Sequence, residues 1–329
     1  MHTFKSFTQI LSTVNEGNFT NIALDVFRRQ SVQNKLYAEF INHLGVDPFR
    51  VESLSEIPFL PISFFKTHVI RTGDWQPQVT YTSSGTTGMV TSRHDVQDEK
   101  FYLAHATNIF TRFFGPVSHY HFLALLPSYL EREGSSLIAM ANHFIQQSGS
   151  PHSGFYLNNY DDLAAKISLL RHSGKKVFLL GVSFALLDLA EKYAPDLSTC
   201  IVMETGGMKG RRAELTREEM HTFLKQKFNV TEIHSEYGMT ELLSQAYSFG
   251  NGVFECPDTL KIQIRDINDP LSRKENGKTG GINVIDLANF HSCAFIETQD
   301  LGRVHQNGSF EILGRIDNSD ARGCNLLVE

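Results

Sequence analysis

The chain has 329 residues, enough to bury a sizeable core as one large domain or two intimate ones. Its formal charge of −6, from 30 basic and 36 acidic residues with no long block of either sign, excludes the basic footprint of a nucleic-acid binder and leaves a small or neutral ligand. The four cysteines, Cys200, Cys256, Cys293 and Cys324, form no Cys-x-x-Cys pair, which argues against a zinc knuckle or a disulfide framework and for reduced thiols. In chain order, the amino terminus lacks a basic region followed by an apolar signal core. No later run approaches the ~18 apolar residues of a membrane span, so a cytoplasmic protein is expected.

Residues 21–44 place Ile22, Val26, Phe27, Leu36, Tyr37, Phe40, Ile41 and Leu44 at helical spacing, with Gly45 and Pro48 to stop the helix. After a proline-punctuated segment comes the β-prone Val79-Thr80-Tyr81-Thr82, then a Ser/Thr/Gly loop over 83–88, then a helix over 98–114: strand, glycine loop, helix. The alternation repeats with strands predicted at 121–126, 176–180 and 199–203 and helices at 135–147, 184–193 and 217–228. This predicts an α/β fold, a mostly parallel sheet covered by helices. From about residue 250 short alternating strands such as 260–265 and 281–285 predict a β-rich carboxy-terminal subdomain. The expected organisation is one large domain over 1–312, α/β over about 50–249 and β-rich over about 250–312, followed by a short tail over 313–329 that carries Cys324. The 25 phenylalanines and 10 tyrosines suit either an aromatic core or an acyl-binding tunnel.

Two segments carry the chemistry. In Thr82-Ser83-Ser84-Gly85-Thr86-Thr87-Gly88 the glycines free the backbone to curl, and the hydroxyls with N–H groups suit phosphate oxygens; no Gly-Lys-Ser/Thr follows, so this is not a Walker loop. An ordinary Ser/Thr-rich turn is the competing reading. In His234-Ser235-Glu236-Tyr237-Gly238-Met239-Thr240-Glu241, after the strand-like 230–233, a ring, a hydroxyl and a carboxylate come together at a strand end, where open α/β sheets bind ligands. Glu241 is a candidate Mg²⁺ ligand beside substrate phosphates, and Tyr237 a candidate stacking ring for a base; otherwise Glu241 merely favours a helix amino terminus.

Together these segments resemble the phosphate loop and the Tyr-Gly-x-Thr-Glu motif of the adenylate-forming enzymes, the acyl-CoA synthetases, luciferases and their kin. Three further stretches match in order. Glu204-Thr205-Gly206-Gly207 is similar to the segment lining the adenine, residues 298–303 with Asp300 to the ribose-binding Thr-x-Asp-x-Gly-Arg, and Gly314-Arg315-Ile316-Asp317 to the hinge Gly-Arg-x-Asp. Within the superfamily the chain most resembles the acyl-protein synthetases of the LuxE-like branch. Ile57-Pro58-Phe59-Leu60-Pro61 with Phe65-Lys66, residues 126–136, and the terminal Arg322-Gly323-Cys324 carry that likeness.

The resemblance implies ATP and Mg²⁺ as cofactors and a carboxylic acid, fatty or aromatic, as substrate. Ser83, Ser84, Gly85, Thr86, Thr87, Gly88, Gly206, Gly207, Tyr237, Gly238, Asp300 and Arg315 would bind nucleotide, Thr240 and Glu241 would act at the reacting phosphate, and Cys324 would accept the acyl group. It also implies delivery to an acyl-CoA reductase with its own cysteine and NADPH, or to a carrier protein. Two departures stand out. The phosphate loop lacks its usual Pro-Lys, leaving Arg93 and Lys209 as substitutes, and the sequence ends 12 residues after Asp317, without the large mobile domain and catalytic lysine of ordinary synthetases. A thiolate is the required nucleophile, and Arg322 or a histidine would help to generate it. His234 is a candidate base or carboxylate contact, or simply a packed histidine. Rival readings are a ligase of the phenylacetate-CoA ligase type, a serine hydrolase using Ser183 in Gly181-Val182-Ser183-Phe184-Ala185, and a non-catalytic binding module.

Overall fold

The computed structural model describes residues 4–83, 90–127, 134–206 and 215–316. Its amino-terminal part is helical, but the predicted stretch divides into α2 (Phe19–Gln33) and α3 (Lys35–His43), with α1 (Phe4–Leu11) before them. Asn34 makes the break, because its backbone is extended and its side chain accepts the Tyr37 N–H to cap α3. The same side chain donates to the Ser292 carbonyl at 2.9 Å, and buried Gln30 donates to the Asn289 carbonyl and accepts the Ala294 N–H. The helices are thereby fastened to a loop some 260 residues away.

β1 (Leu60–Pro61) leads into the short α4 (Phe64–Thr67). β2 (Val79–Thr82) and β3 (Arg93–Val96) then pair antiparallel as a separate ribbon. The expected order of strand, glycine loop and helix is corrected here, since β3 intervenes before α5 (Glu99–Phe114). Only four residues long, β3 buries His94 and Val96 while Arg93 stays exposed, so no apolar run announces it.

The alternating part follows: β4 (Tyr120–Leu125), α6 (Ser136–Gln147), β5 (Gly154–Tyr156), α7 (Tyr160–Leu170), β6 (Lys176–Gly181), α8 (Ser183–Lys192), β7 (Ile201–Glu204), α9 (Arg217–Phe228) and β8 (His234–Tyr237). These strands are parallel in the order β5-β4-β6-β7-β8. β4 is buried along its whole length, which is why it reads as an unbroken apolar run. Side-chain caps start the helices: Asp98 on α5, Ser135 on α6 and a capping box of Thr216 with Glu219 on α9. The strand expected at 230–233 lies instead at 234–237. Asn229 ends α9 in a left-handed turn (φ 55°), and the next four residues carry the chain back to the sheet.

β9 (Ala246–Ser248), β10 (Val253–Glu255), β11 (Leu260–Arg265), β12 (Thr279–Asp286), β13 (Phe295–Val304) and β14 (Phe310–Arg315) continue the same sheet antiparallel, in the order β11-β12-β13-β14-β10-β9-β8. With β1 beside β13, the described residues form one twelve-stranded sheet, parallel in one half and antiparallel in the other. That is the expected fold class, an α/β layer joined to a β-rich portion.

Phenylalanines cement the parallel half. Phe110 of α5 sits 5.0 Å from both Phe144 of α6 and Phe178 of β6, and Phe122 of β4 stacks on Phe178 at 5.1 Å. All four are essentially solvent-free, and each contributes ~1.5–3 kcal/mol through burial. No described helix is long and apolar enough to cross a membrane.

Candidate functional site

A cleft of about 1030 Å³ opens where β6, β7 and β8 end. Parallel strands deliver their following loops to this edge, and the reversal from parallel to antiparallel pairing at β8 leaves a crevice there. Ser183 of α8, Glu204 to Gly206 after β7 and residues 238–241 after β8 form its base. Lys66 of α4, Ser83 and Ser92 of the ribbon, Ser136 and Met140 of α6, and Asp300 and Arg315 of β13 and β14 form its sides. Among the described residues no phenylalanine lines it, and of the aromatic residues only Tyr102 and Tyr237 do, so the phenylalanines serve the core.

Tyr237, the last residue of β8, donates its hydroxyl to Asp300 Oδ2 at 2.9 Å. Its ring stands edge-on against Phe254 and Phe310, at 6.0 and 5.6 Å. The other oxygen of Asp300 lies 3.7 Å from Nε of Arg315, the residue opposite it across the β13–β14 ladder. Burial raises the Asp300 pKa, opposed by the Tyr237 hydroxyl and the Arg315 and Arg265 charges. A diol hydroxyl or a second cation would complete this carboxylate.

At β7, buried Glu204 accepts the Gly206 N–H at 2.6 Å and the Ser183 hydroxyl at 3.2 Å, and Arg217 Nε stands 3.5 Å away. Burial alone would weaken this acid, but His221, Arg217, Ser235 and the Gly206 N–H outweigh it and bring Glu204 down to about 2. Glu204 thus shapes the turn at Gly206, whose φ of 69° favours a residue without a Cβ. Ser183 donates to this carboxylate and, among the described residues, to no histidine, which counts against the serine-hydrolase reading.

The turn at 238–241 is held from behind. His94 Nδ1 meets the Thr240 carbonyl at 2.8 Å, and Asn289 Nδ2 meets the Glu241 carbonyl at 2.7 Å. Leu243 and Ser244 N–H groups both bond Asp286, which pins the chain as it leaves the turn. With its carbonyls satisfied behind, the turn offers the cleft its Thr240 and Glu241 side chains. Glu241 is 5% exposed, and burial raises its pKa against the Ser92 hydroxyl, its own N–H and the charges of Lys66 and Arg315. A buried carboxylate short of positive charge fits a hard cation. Among the described residues no group of three or more His, Cys, Asp or Glu is placed to hold a metal ion, so such an ion would draw its remaining oxygens from phosphate and water.

The structure brings Ser83, Gly206, Tyr237, Gly238, Thr240, Glu241, Asp300 and Arg315 to one cleft. Ser83 closes the ribbon, its hydroxyl accepting the Ser92 N–H. Ser84, Gly85, Thr86, Thr87, Gly88, Gly207, Lys209, Asp317, Arg322 and Cys324 lie outside the described residues. One expectation is corrected: Arg93 is exposed on the ribbon and absent from the cleft lining, because its strand alternation turns it away from buried His94. Of the readings left open for His234 the structure favours the packed histidine, edge-on against Phe114 and Phe249 and outside the cleft lining. The cation that reasoning from the motifs overlooked is Lys66, which lines the cleft and acts on Glu241; its neighbour Phe65 packs on His94, a tie that only the folded chain displays.

No family model matches the chain, and no curated protein matches it. Solved structures do. Against ATP-bound MatB from Rhodopseudomonas palustris the TM-score is 0.53 with 17% identity, over 72% of this chain and 47% of that one. Against 2-hydroxyisobutyryl-CoA ligase in an open conformation with 2-HIB-AMP and CoA it is 0.68 with 12% identity, over 91% and 69%. Its thioesterification state gives 0.66 with 14% identity, over 97% and 70%. The chain spans about half the length of the MatB chains and over two thirds of the ligase. It shares with them the fold of the adenylate-forming enzymes.

Proposed function

We propose that the chain is an ATP-dependent acid–thiol ligase that makes an acyl-AMP and passes the acyl group to a thiol, Cys324. One observation carries this reading: residues from five separate segments, Ser83, Gly206, Tyr237 to Glu241, Asp300 and Arg315, converge on one cleft at the switch between parallel and antiparallel strands. The fold and the motif order support it.

In the first step a carboxylate oxygen attacks the α-phosphorus of ATP, the bond to the β-phosphate oxygen breaks, and pyrophosphate leaves. Two anions must meet, so the residues required are donors and cations: Ser83, Thr240, Lys66 and Arg315 all face the cleft. Glu241 would hold Mg²⁺, which when bound supplies positive charge to the phosphate oxygens. Asp300 and Tyr237 would hold the ribose, and the turn at Gly206 would border the adenine. In the second step a thiolate attacks the acyl carbon, and AMP departs with the bonding electron pair.

Burial raises the pKa of Cys200 and pushes those of Cys256 and Cys293 to about 12, so these three are poor nucleophiles at neutral pH, which supports Cys324 as the acceptor. On this reading residues 1–312 adenylate, 313–329 present the thiol, and the thioester passes to an acyl-CoA reductase partner, as in the LuxE-like branch. A coenzyme A or carrier-protein thiol is the second reading, favoured by the likeness to a CoA ligase.

Intact-protein mass after incubation with ATP, Mg²⁺ and a panel of acids tests the proposal, with pyrophosphate and AMP followed in parallel. The expected result is a hydroxylamine-labile acyl adduct on wild type that is lost in Cys324→Ser while acid-dependent pyrophosphate release persists. Acylation of added coenzyme A with no adduct on the chain selects the second reading. Absence of pyrophosphate with every acid overturns both.

A further inference from the structure

We propose that the acid taken into this cleft carries a hydrogen-bond donor on its acyl portion, a hydroxyl or an ammonium group, received by the Glu236 carboxyl group and the Gln245 side-chain carbonyl. This rests on the acid-activating reading and names its substrate class.

Along β8 successive side chains point to opposite faces. Tyr237 turns toward Asp300, whereas Glu236 turns the other way and lines the cleft with Tyr102, Ser136, Met140 and Gln245. The turn bearing Thr240 and Glu241 follows the strand end and lines the same cleft. An acid whose carboxylate meets the nucleotide there extends its chain toward Glu236.

That end of the cleft is equipped to accept protons in hydrogen bonds. Among the described residues nothing donates to the Glu236 carboxyl group, and the neighbouring carboxylate Glu204 already has Arg217, Ser183 and Gly206. Gln245, 4% exposed, spends its Nε2 on the Leu243 carbonyl, and since a carbonyl only accepts, this fixes Oε1 as the free end of the amide. That Oε1 is buried without a partner. Tyr102 gives its proton to the Ser136 carbonyl, so its oxygen too is left as an acceptor. Burial and the nearby Glu204 charge raise the Glu236 pKa to about 8, so without a ligand the carboxyl group is protonated at neutral pH and keeps its carbonyl oxygen as an acceptor.

Gly238 shows that the arrangement is specific. A Cβ at that position would stand 2.3 Å from Glu236 Oε1 and 3.6 Å from Gln245 Cγ. The glycine leaves room for the carboxyl group beside the glutamine. An unadorned alkyl chain here would leave the buried Gln245 Oε1 unmet beside the Glu236 carboxyl group, the situation in which sites reject an analogue lacking the polar group.

The test is calorimetric titration of the full chain with matched acids that differ only in a methyl, hydroxyl or ammonium group on the acyl chain, using wild type, Glu236→Leu and Glu236→Gln. Wild type is expected to bind the hydroxyl or ammonium member at least about tenfold more tightly than the methyl member, and Glu236→Leu to erase or reverse that ratio. Glu236→Gln separates the two donors, since it keeps a hydroxyl partner and loses an ammonium. Equal or tighter binding of the methyl acid by wild type overturns the proposal, as does an unchanged ratio in Glu236→Leu. Should Glu236→Leu fail to melt cooperatively, Gln245→Leu reads the same ratio. Pyrophosphate release, measured on the same acids, fails independently if the acid-activating reading is wrong.

Discussion

His94 Nδ1 lies 2.8 Å from the carbonyl oxygen of Thr240, and its Nε2 lies 2.9 Å from the Ser292 hydroxyl. The carbonyl can only accept, so Nδ1 carries the proton and Nε2 receives one from Ser292. Burial lowers the ring's pKa to about 4, which keeps it neutral in this role. His94→Phe would strand a buried carbonyl and a buried hydroxyl. We expect a loss of ~1–3 kcal/mol in urea unfolding and a slower pyrophosphate-forming step, from a residue that does not line the cleft. Unchanged stability and rate would exclude a positioning role.

Acid sensitivity follows from three buried imidazoles. His94, His105 and His291 are lowered to about 4 by burial, against 6.5 for the unperturbed group. Between these values the unfolded chain binds protons that the folded chain refuses. Their contribution is therefore complete above pH 6.5 and is lost as pH falls through 4. Glu236 has the opposite sign. Raised from 4.5 to about 8, it stays protonated in the folded chain while the unfolded chain ionises, so its contribution declines as pH rises across that interval. Urea titrations across this range should show His105→Gln flattening the acid side and Glu236→Gln flattening the alkaline side.

Lys66 is expected to serve the phosphates in place of the absent loop lysine. It lines the cleft, and its charge acts on Glu241. Replacing it with Met should lower acid-dependent pyrophosphate formation about 10–100-fold, whereas Arg93→Met, on the exposed face of the ribbon, should leave it within about twofold. The reverse ranking would return the role to Arg93.

Gly238→Ala should cost no more than about 1 kcal/mol, because the new methyl group meets the end of the Glu236 side chain, which can swing aside. The collision is with one side chain, so Glu236→Ala in the same chain should restore most of the loss. A double-mutant cycle in urea would read a coupling of about 0.5 kcal/mol. Additive losses would place the clash elsewhere.

The alternation of apolar segments with capped helices was enough to foresee the parallel layer, because β4 and β6 are buried on both faces and the α9 capping box is local chemistry. The turns at 205–206 and 238–241 were legible for a related reason: a glycine, a hydroxyl and an acid at a strand end leave their mark in consecutive residues. β3 was not legible. Four residues of mixed polarity become a strand only by pairing with Val79–Thr82. Nor could spacing along the chain tell that Lys66 rather than Arg93 faces the cleft, or that His94 supports Thr240 from 146 residues away. These relationships are contacts between segments remote in sequence, and their energy exists only once the sheet has brought its strand ends together. The sequence by itself determined which elements form and which turns bear the reactive groups. The tertiary structure decided which cations reach the cleft, which polar groups remain unmet in it, and that the phenylalanines fill the core, since each of these depends on what lies across the fold.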